Sequence, residues 1–266
     1  MKEQSFYKLK SLITHSPLHK PIMEWRAKRA GNKIKRTQVA KDPRTIYIVS
    51  PYKTGTTYID SLWDESISKH EPFQLYSLRD MEKNFESNFY KRENVLDLKL
   101  ECSGFLTLFL ERLPKATMQH KYIYILRPPS KWVGSVIKHF YGLRNIGYNY
   151  INEYYWKRLL GYDMLPVIEK RDEVGLNNLV RDLYQLYFDF LTKAEKNTAI
   201  SFVQLENIDN LAVKLGERIG VAPIFEKSWK RESKNKLKIN LPLNKVEDEK
   251  YNQFIKKLPH NRFYPL

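Results

Sequence analysis

The residues best suited to chemistry lie between positions 47 and 59, in the stretch YIVSPYKTGTTYI. An apolar, β-branched run ends in a loop holding Tyr52, Lys53, Thr54, Gly55, Thr56 and Thr57, and the chain beyond it has helical character. Backbone N–H groups at a helix start favour an anion, and the positive end of the helix dipole adds to this. Gly55 allows close backbone approach, the three threonines add hydroxyl donors, and Lys53 adds a compact positive charge. The loop therefore reads as a phosphate cradle, although a short motif of this kind is also compatible with an ordinary strand-to-helix turn. The nucleoside-triphosphate form, G-x-x-x-x-G-K-[ST], sets its lysine directly after the second glycine. Here Lys53 precedes Gly55, and the first glycine of that pattern is missing.

A second candidate anion site lies in YIYILRPPSKWVGSVIKHFYG. Arg127 ends an apolar strand, and Ser135 follows eight residues later on the next helix. A guanidinium fork at a strand end and a hydroxyl two turns into the helix can converge on one phosphate. Either residue alone also suits a plain surface role.

With both motifs in view, the chain resembles the sulfotransferases that use 3′-phosphoadenosine 5′-phosphosulfate (PAPS). PYKTGTT is similar to their P-K-[ST]-G-T-T loop, and R-P-P-x5-S to their R-[DN]-P-x5-S, with Pro128 in place of the usual Asp or Asn. The resemblance extends more weakly over residues 45–220. It implies that residues 52–57 hold the phosphosulfate, with Lys53 at the leaving oxygen, and that Arg127 and Ser135 hold the 3′-phosphate. The product would be 3′,5′-adenosine bisphosphate, and no metal is implied.

The cytosolic phenol and steroid enzymes of that family carry a histidine after the third strand, but KLECSGFL here has none. SKHEPFQLY is similar to an E-P-[LFA] segment of glycan sulfotransferases. Glu71 is thus the first choice as general base, His70 the second on its ordinary pKa, and Glu101 the third. A surface ion pair or a cap is the plainer role for each. A glycan, a glycolipid or another hydroxyl compound is the expected acceptor. The aromatic segment 144–175 suits an acceptor wall or ordinary core. His139 is expected to pack beside Phe140.

These residues need a scaffold. Strands at TIYIVS, KYIYILR and AISFVQL alternate with helices at TTYIDSLWDESISKH, SKWVGSVIKHFYGL, LNNLVRDLYQLYFDFLTKAEK and NLAVKLGERIG. FQLYSL and NVLDLKLE read as further strands, and RDMEKNFESNFYKR and FLTLFLERL as helices. Such alternation predicts an α/β, three-layer sandwich around a mostly parallel sheet of about four or five strands. The resemblance narrows this to a P-loop-NTPase-like sulfotransferase fold. Residues 45–266 read as one domain. Residues 1–44 read as a basic, solvated arm, with EWRAKRAGNKIKRTQVAKDPR as a short helix followed by a loop, or as a patch facing an anion or a membrane.

The formal net charge of +16 favours an anionic partner without choosing among nucleotide, glycan, nucleic acid and membrane surface. No nucleic-acid motif is apparent, so none of that class is expected, while peripheral contact with an anionic membrane is compatible. A single cysteine, Cys102, excludes a disulfide framework within the chain. No stretch reads as a signal peptide or a membrane span, which fits a cytoplasmic, bacterial protein. The basic run 227–238 sits where many sulfotransferases close a loop over the nucleotide. Two other readings stay open: a P-loop kinase of a small metabolite, and a non-catalytic basic protein that binds nucleic acid or membrane.

Overall fold

The computed structural model describes residues 18–38, 44–115, 121–143, 149–227, 241 and 243–265. Nearly all of the basic run 227–238 falls outside them, and so do residues 144–148 of the aromatic segment.

Five strands form one sheet in which every pairing is parallel. They are β1 (Ile46–Ile48), β2 (Ser68–His70), β3 (Leu100–Cys102), β4 (Tyr122–Leu126) and β5 (Ile200–Gln204), in the order β2-β3-β1-β4-β5. Side chains alternate across the sheet as the pleat requires. Tyr47, Tyr122, Tyr124 and Phe202 enter the larger core, whereas Ile46, Ile48, Ile123 and Ile125 enter the smaller one. Both faces are covered, which is the three-layer α/β sandwich expected from the sequence.

The larger core is closed by α4 (Phe85–Leu96), the 3-10 segment Gly104–Arg112, α5 (Pro129–Leu143) and α8 (Glu173–Lys196). The smaller one is closed by α2 (Thr56–Asp60) and α9 (Ile208–Ile219). Helix α9 ends at Gly220, whose φ of 68° is the left-handed conformation that terminates helices at low cost to glycine. The remaining helices are α1 (His19–Arg36), α3 (Gln74–Asp80), α6 (Lys157–Leu160), α7 (Met164–Lys170) and α10 (Lys245–Lys257).

Several local readings of the sequence are corrected. The helix expected across residues 56–70 stops at Asp60, and its last three residues form edge strand β2. That strand is polar because it lies at the sheet edge and takes its register from β3, with His70 opposite Cys102. FQLYSL forms helix α3 rather than a strand. Residues 74–78 are all buried, so no polar face reveals the helical period. Of NVLDLKLE, only Leu100 and Glu101 belong to β3, since Asn94–Leu96 still belong to α4. FLTLFLERL is helical as read, but it winds as a 3-10 segment.

The expected basic arm contains an 18-residue helix, α1, which buries Ala27, Ala30, Gly31 and Ile34 against the domain. Within the aromatic segment, Tyr155, Trp156, Met164 and Ile168 are core residues. No described helix is long and apolar enough to cross a membrane.

Two buried ion pairs brace the sheet from the larger-core side. Arg92 of α4 donates to both carboxylate oxygens of Glu101 in β3, at 2.7 and 2.6 Å, and to the Pro72 carbonyl at 3.0 Å. Lys121 meets Glu93 at 3.2 Å. Removing one partner of such a pair leaves a buried charge without compensation, at about 3–5 kcal/mol. Arg92→Met should therefore lower stability in urea unfolding by about that amount. Arg92→Met/Glu101→Leu should recover part of the loss. Equal stability of the single and double variants would show that the pair does not brace the sheet.

Candidate functional site

Strand β1 occupies the centre of the sheet, and the chain leaves its carboxyl end toward β2 on one side, whereas it leaves β4 toward β5 on the other. Opposite departures open a crevice between β1 and β4, where open α/β sheets bind ligands. The loop 51–57 and Arg127 both emerge there. Ser50 closes the floor, its hydroxyl accepting the Ile125 N–H at 2.5 Å.

The loop is held from several sides. Thr54 is buried and donates its hydroxyl to the Pro51 carbonyl at 2.7 Å, so its side chain shapes the loop rather than facing a ligand. Trp132 of α5 donates its indole N–H to the Tyr52 carbonyl at 2.8 Å. The Tyr52 ring is likewise turned inward, edge-on to Tyr155 at 4.6 Å. Lys53 has φ of 73°, a conformation L-residues seldom adopt, and its carbonyl accepts a hydrogen bond from the Arg127 guanidinium. Gly55 is also left-handed, with φ of 97°, and a Cβ there would lie 2.8 Å from Ile208. Helix α2 begins at the next residue, so its first N–H groups lie on the loop.

Arg127 is half-buried. Its carbonyl accepts the Tyr187 hydroxyl, and its Nε is buried without a partner. Burial lowers its pKa from the ordinary value, opposed by Tyr187. Ser135 lies one helical turn beyond Trp132 on the same side of α5. It is half-buried, and no hydrogen bond joins its hydroxyl to Arg127 or to the loop among the described residues.

His70 and Glu71 extend from the end of β2 to the other flank of the loop. The His70 Nε2 lies 3.3 Å from the Thr56 hydroxyl and 3.2 Å from that of Thr57. It also lies 3.8 Å from a Glu71 oxygen. Glu71 has φ of 53°, and its side chain is only 6% exposed. Its carboxylate accepts the Gly104 N–H at 2.7 Å, with the Tyr52 hydroxyl at 3.5 Å, the outer limit of a hydrogen bond. Gln74 donates to Tyr52 at 2.7 Å and accepts from Tyr150 at 2.8 Å, closing a polar network behind the carboxylate. Burial pushes the Glu71 pKa up from 4.5 to about 8, prevailing over the Gly104 N–H, and the nearby charge of Glu101 adds to the rise.

Glu101, the third candidate base, is corrected to a structural role. Both its oxygens are engaged by Arg92, and Ser103 adds a bond at 2.6 Å. His139 packs against Phe140, as expected.

The structure thus unites Lys53, Thr56, Thr57, Arg127, His70 and Glu71 around one loop. Tyr52 and Thr54 serve as its inner supports. Sequence reasoning missed Gly104, Trp132, Gln74 and Tyr187. Only Gly104 left a signal, as a glycine two residues beyond the end of a strand. A Cβ at Gly104 would stand 3.0 Å from the Tyr52 nitrogen and 3.2 Å from the Glu71 carboxylate. Chemically, the arrangement offers N–H, hydroxyl and guanidinium donors to an anion, with a protonatable carboxyl beside them. No group of three or more potential ligands suited to a metal ion occurs among the described residues. No family model matches the chain, and no curated protein or solved structure matches it significantly.

The raised pKa of Glu71 has a thermodynamic sign. The folded state holds this proton more tightly than the unfolded chain, so stability is full below pH 4.5 and falls as pH rises toward about 8. Glu71→Gln removes that dependence. Melting curves should show variant and wild type alike near pH 4.5 and the variant increasingly favoured toward pH 8. A constant difference across that window would mean that the carboxyl titrates normally.

Proposed function

We propose that the protein transfers a sulfuryl group from PAPS to an acceptor hydroxyl, most suitably that of a glycan or glycolipid. The observation that carries this reading is the convergence of loop 51–57 and Arg127 in the crevice between β1 and β4, with Arg127 bonded to the Lys53 carbonyl. These are the two motifs whose types and spacing resemble those of PAPS-dependent sulfotransferases.

The available groups suit that chemistry. The N–H groups at the start of α2, with Thr56 and Thr57, hold the 5′-phosphosulfate. Arg127, with a buried donor still unpartnered, takes the 3′-phosphate together with Ser135. Lys53 neutralises charge on the phosphate oxygen as its bond to sulfur breaks and the acceptor oxygen bonds to sulfur. Glu71 takes the acceptor proton directly, or through His70, which lies between it and the loop threonines. A carboxyl buried enough to titrate near 8 is a far better proton acceptor than an exposed one. 3′,5′-Adenosine bisphosphate is the product that leaves.

Ligand binding and rate test the reading together. 3′,5′-Adenosine bisphosphate should raise the melting temperature above any effect of 5′-AMP, and Arg127→Ala should abolish the difference. Labelled sulfate should pass from PAPS to a hydroxyl in a panel of glycans, lipids and phenols. Lys53→Ala should slow that transfer by about 10²–10³. The rate should rise with pH through an inflection at about 8, and Glu71→Gln should remove it. No preference for the bisphosphate, with magnesium-dependent ATP turnover instead, would replace this reading with a kinase.

A further inference from the structure

The outward face of α1 takes no part in the site. The helix carries seven Lys or Arg residues against one acid, Glu24, and Glu24 is bonded to Arg79 of α3. Leu18, Trp25, Arg29 and Arg36 follow one another at intervals of seven, four and seven residues, so they form a single line along the helix. This line lies opposite the buried stripe of Ala27, Ala30, Gly31 and Ile34. Leu18 is 64% and Trp25 58% exposed, among the most exposed large apolar side chains described. The Arg29 guanidinium sits 5.5 Å from the centre of the Trp25 ring. Lys28 and Lys33 flank the line on its two sides.

Basic residues in a last helical turn complement the helix dipole, which accounts for Lys33, Lys35 and Arg36. It does not account for Arg26, Lys28 and Arg29, which lie in mid-helix beyond the reach of that effect. Nor does it account for an indole and a leucine held outward among the cations. Cations around an exposed tryptophan and an aliphatic residue form the pattern of a helix lying in a bilayer interface. A single-stranded nucleic acid would instead be met by a series of aromatic platforms, and this line has one aromatic residue.

We propose that this face of α1 docks the protein on the surface of an anionic lipid bilayer. The Lys and Arg residues engage lipid phosphates, and Trp25 and Leu18 enter the headgroup region. The small-residue stripe fastens the helix to the domain. Gly31 lies so close to Tyr76 of α3 that a Cβ would come within 2.9 Å.

Co-sedimentation of the full chain with vesicles tests this without reference to activity. Vesicles of phosphatidylcholine with about one-third phosphatidylserine should bind the protein at about 0.1 M salt, and phosphatidylcholine alone should not. Arg29→Glu/Arg36→Glu should lower partitioning at least about ten-fold. Trp25→Ala should lower it several-fold while leaving the salt dependence of the remaining binding intact. All these residues face water, so melting temperatures should change little, the charge reversal at Arg36 costing only the small dipole contribution of the last helical turn. The wild-type protein at rising salt provides the same test without any substitution. Equal binding to both vesicle types, binding to neither, or an unaffected double variant would overturn the proposal. So would tight, salt-sensitive binding of single-stranded RNA lost in the double variant while vesicle binding is absent.

Discussion

Strand β1 has neighbours on both sides, β3 and β4, and the chain leaving its carboxyl end passes into helix α2 at Thr56. It must turn sharply over the carboxyl edge and enter a helix within a few residues. That turn contains two left-handed positions, Lys53 and Gly55, of which only the second is free of steric cost. The cost at Lys53 is tolerated because its surroundings fix both neighbouring peptide groups. Trp132 holds the Tyr52 carbonyl, and Arg127 holds the Lys53 carbonyl. The contact that stabilises the strained residue also brings the strand-end arginine against the loop. Loop shape and positive charge in the crevice are consequently one feature, and neither can shift alone.

Beneath this edge, residues of one type are driven to different ends by their surroundings. Glu93 and Glu101 are both buried, but each faces a cation, Lys121 and Arg92 respectively. Glu71 instead faces a backbone N–H, a phenol and an imidazole. Burial without a permanent cation raises its proton affinity, because desolvation disfavours the charged carboxylate. The pairing of Arg92 with Glu101 therefore has two consequences. It braces β3, and through the Pro72 carbonyl it supports the turn that carries Glu71.

The parts of the fold legible in sequence are those whose burial leaves a one-dimensional trace. Strands β4 and β5 are buried apolar runs, and α8 and α9 carry apolar residues at helical spacing. Strand β2 left no such trace, because an edge strand reading Ser-Lys-His is defined by its partner rather than by its composition. Helix α3 failed for the opposite reason, being buried on every side over its first turns. The same division holds at the site. Lys53, Arg127 and Glu71 were legible because each lies at a junction between elements. Trp132 and Tyr187 act across long sequence separations from within helices, and Gln74 from the start of one, where an aromatic or amide side chain reads as ordinary filling. The inward orientation of Thr54 and Tyr52 depends on contacts that no spacing encodes.

Helix α3 links two regions that would otherwise be separate. Its first residue, Gln74, bonds to Tyr52 beside the Glu71 carboxylate, and two residues later Tyr76 packs against Gly31 of α1. A short helix buried on both sides cannot rotate without opening voids, each with its own energetic cost. The outward face of α1 is thereby held in a fixed orientation relative to Glu71. A bilayer under α1 would hold the crevice at a constant attitude to the lipid surface. An acceptor tethered to that surface, such as the head of a glycolipid, would then meet Glu71 with less orientational freedom to lose than one arriving from solution. Among the hydroxyl compounds compatible with the proposed transfer, membrane-held glycans fit both ends of this rigid connection.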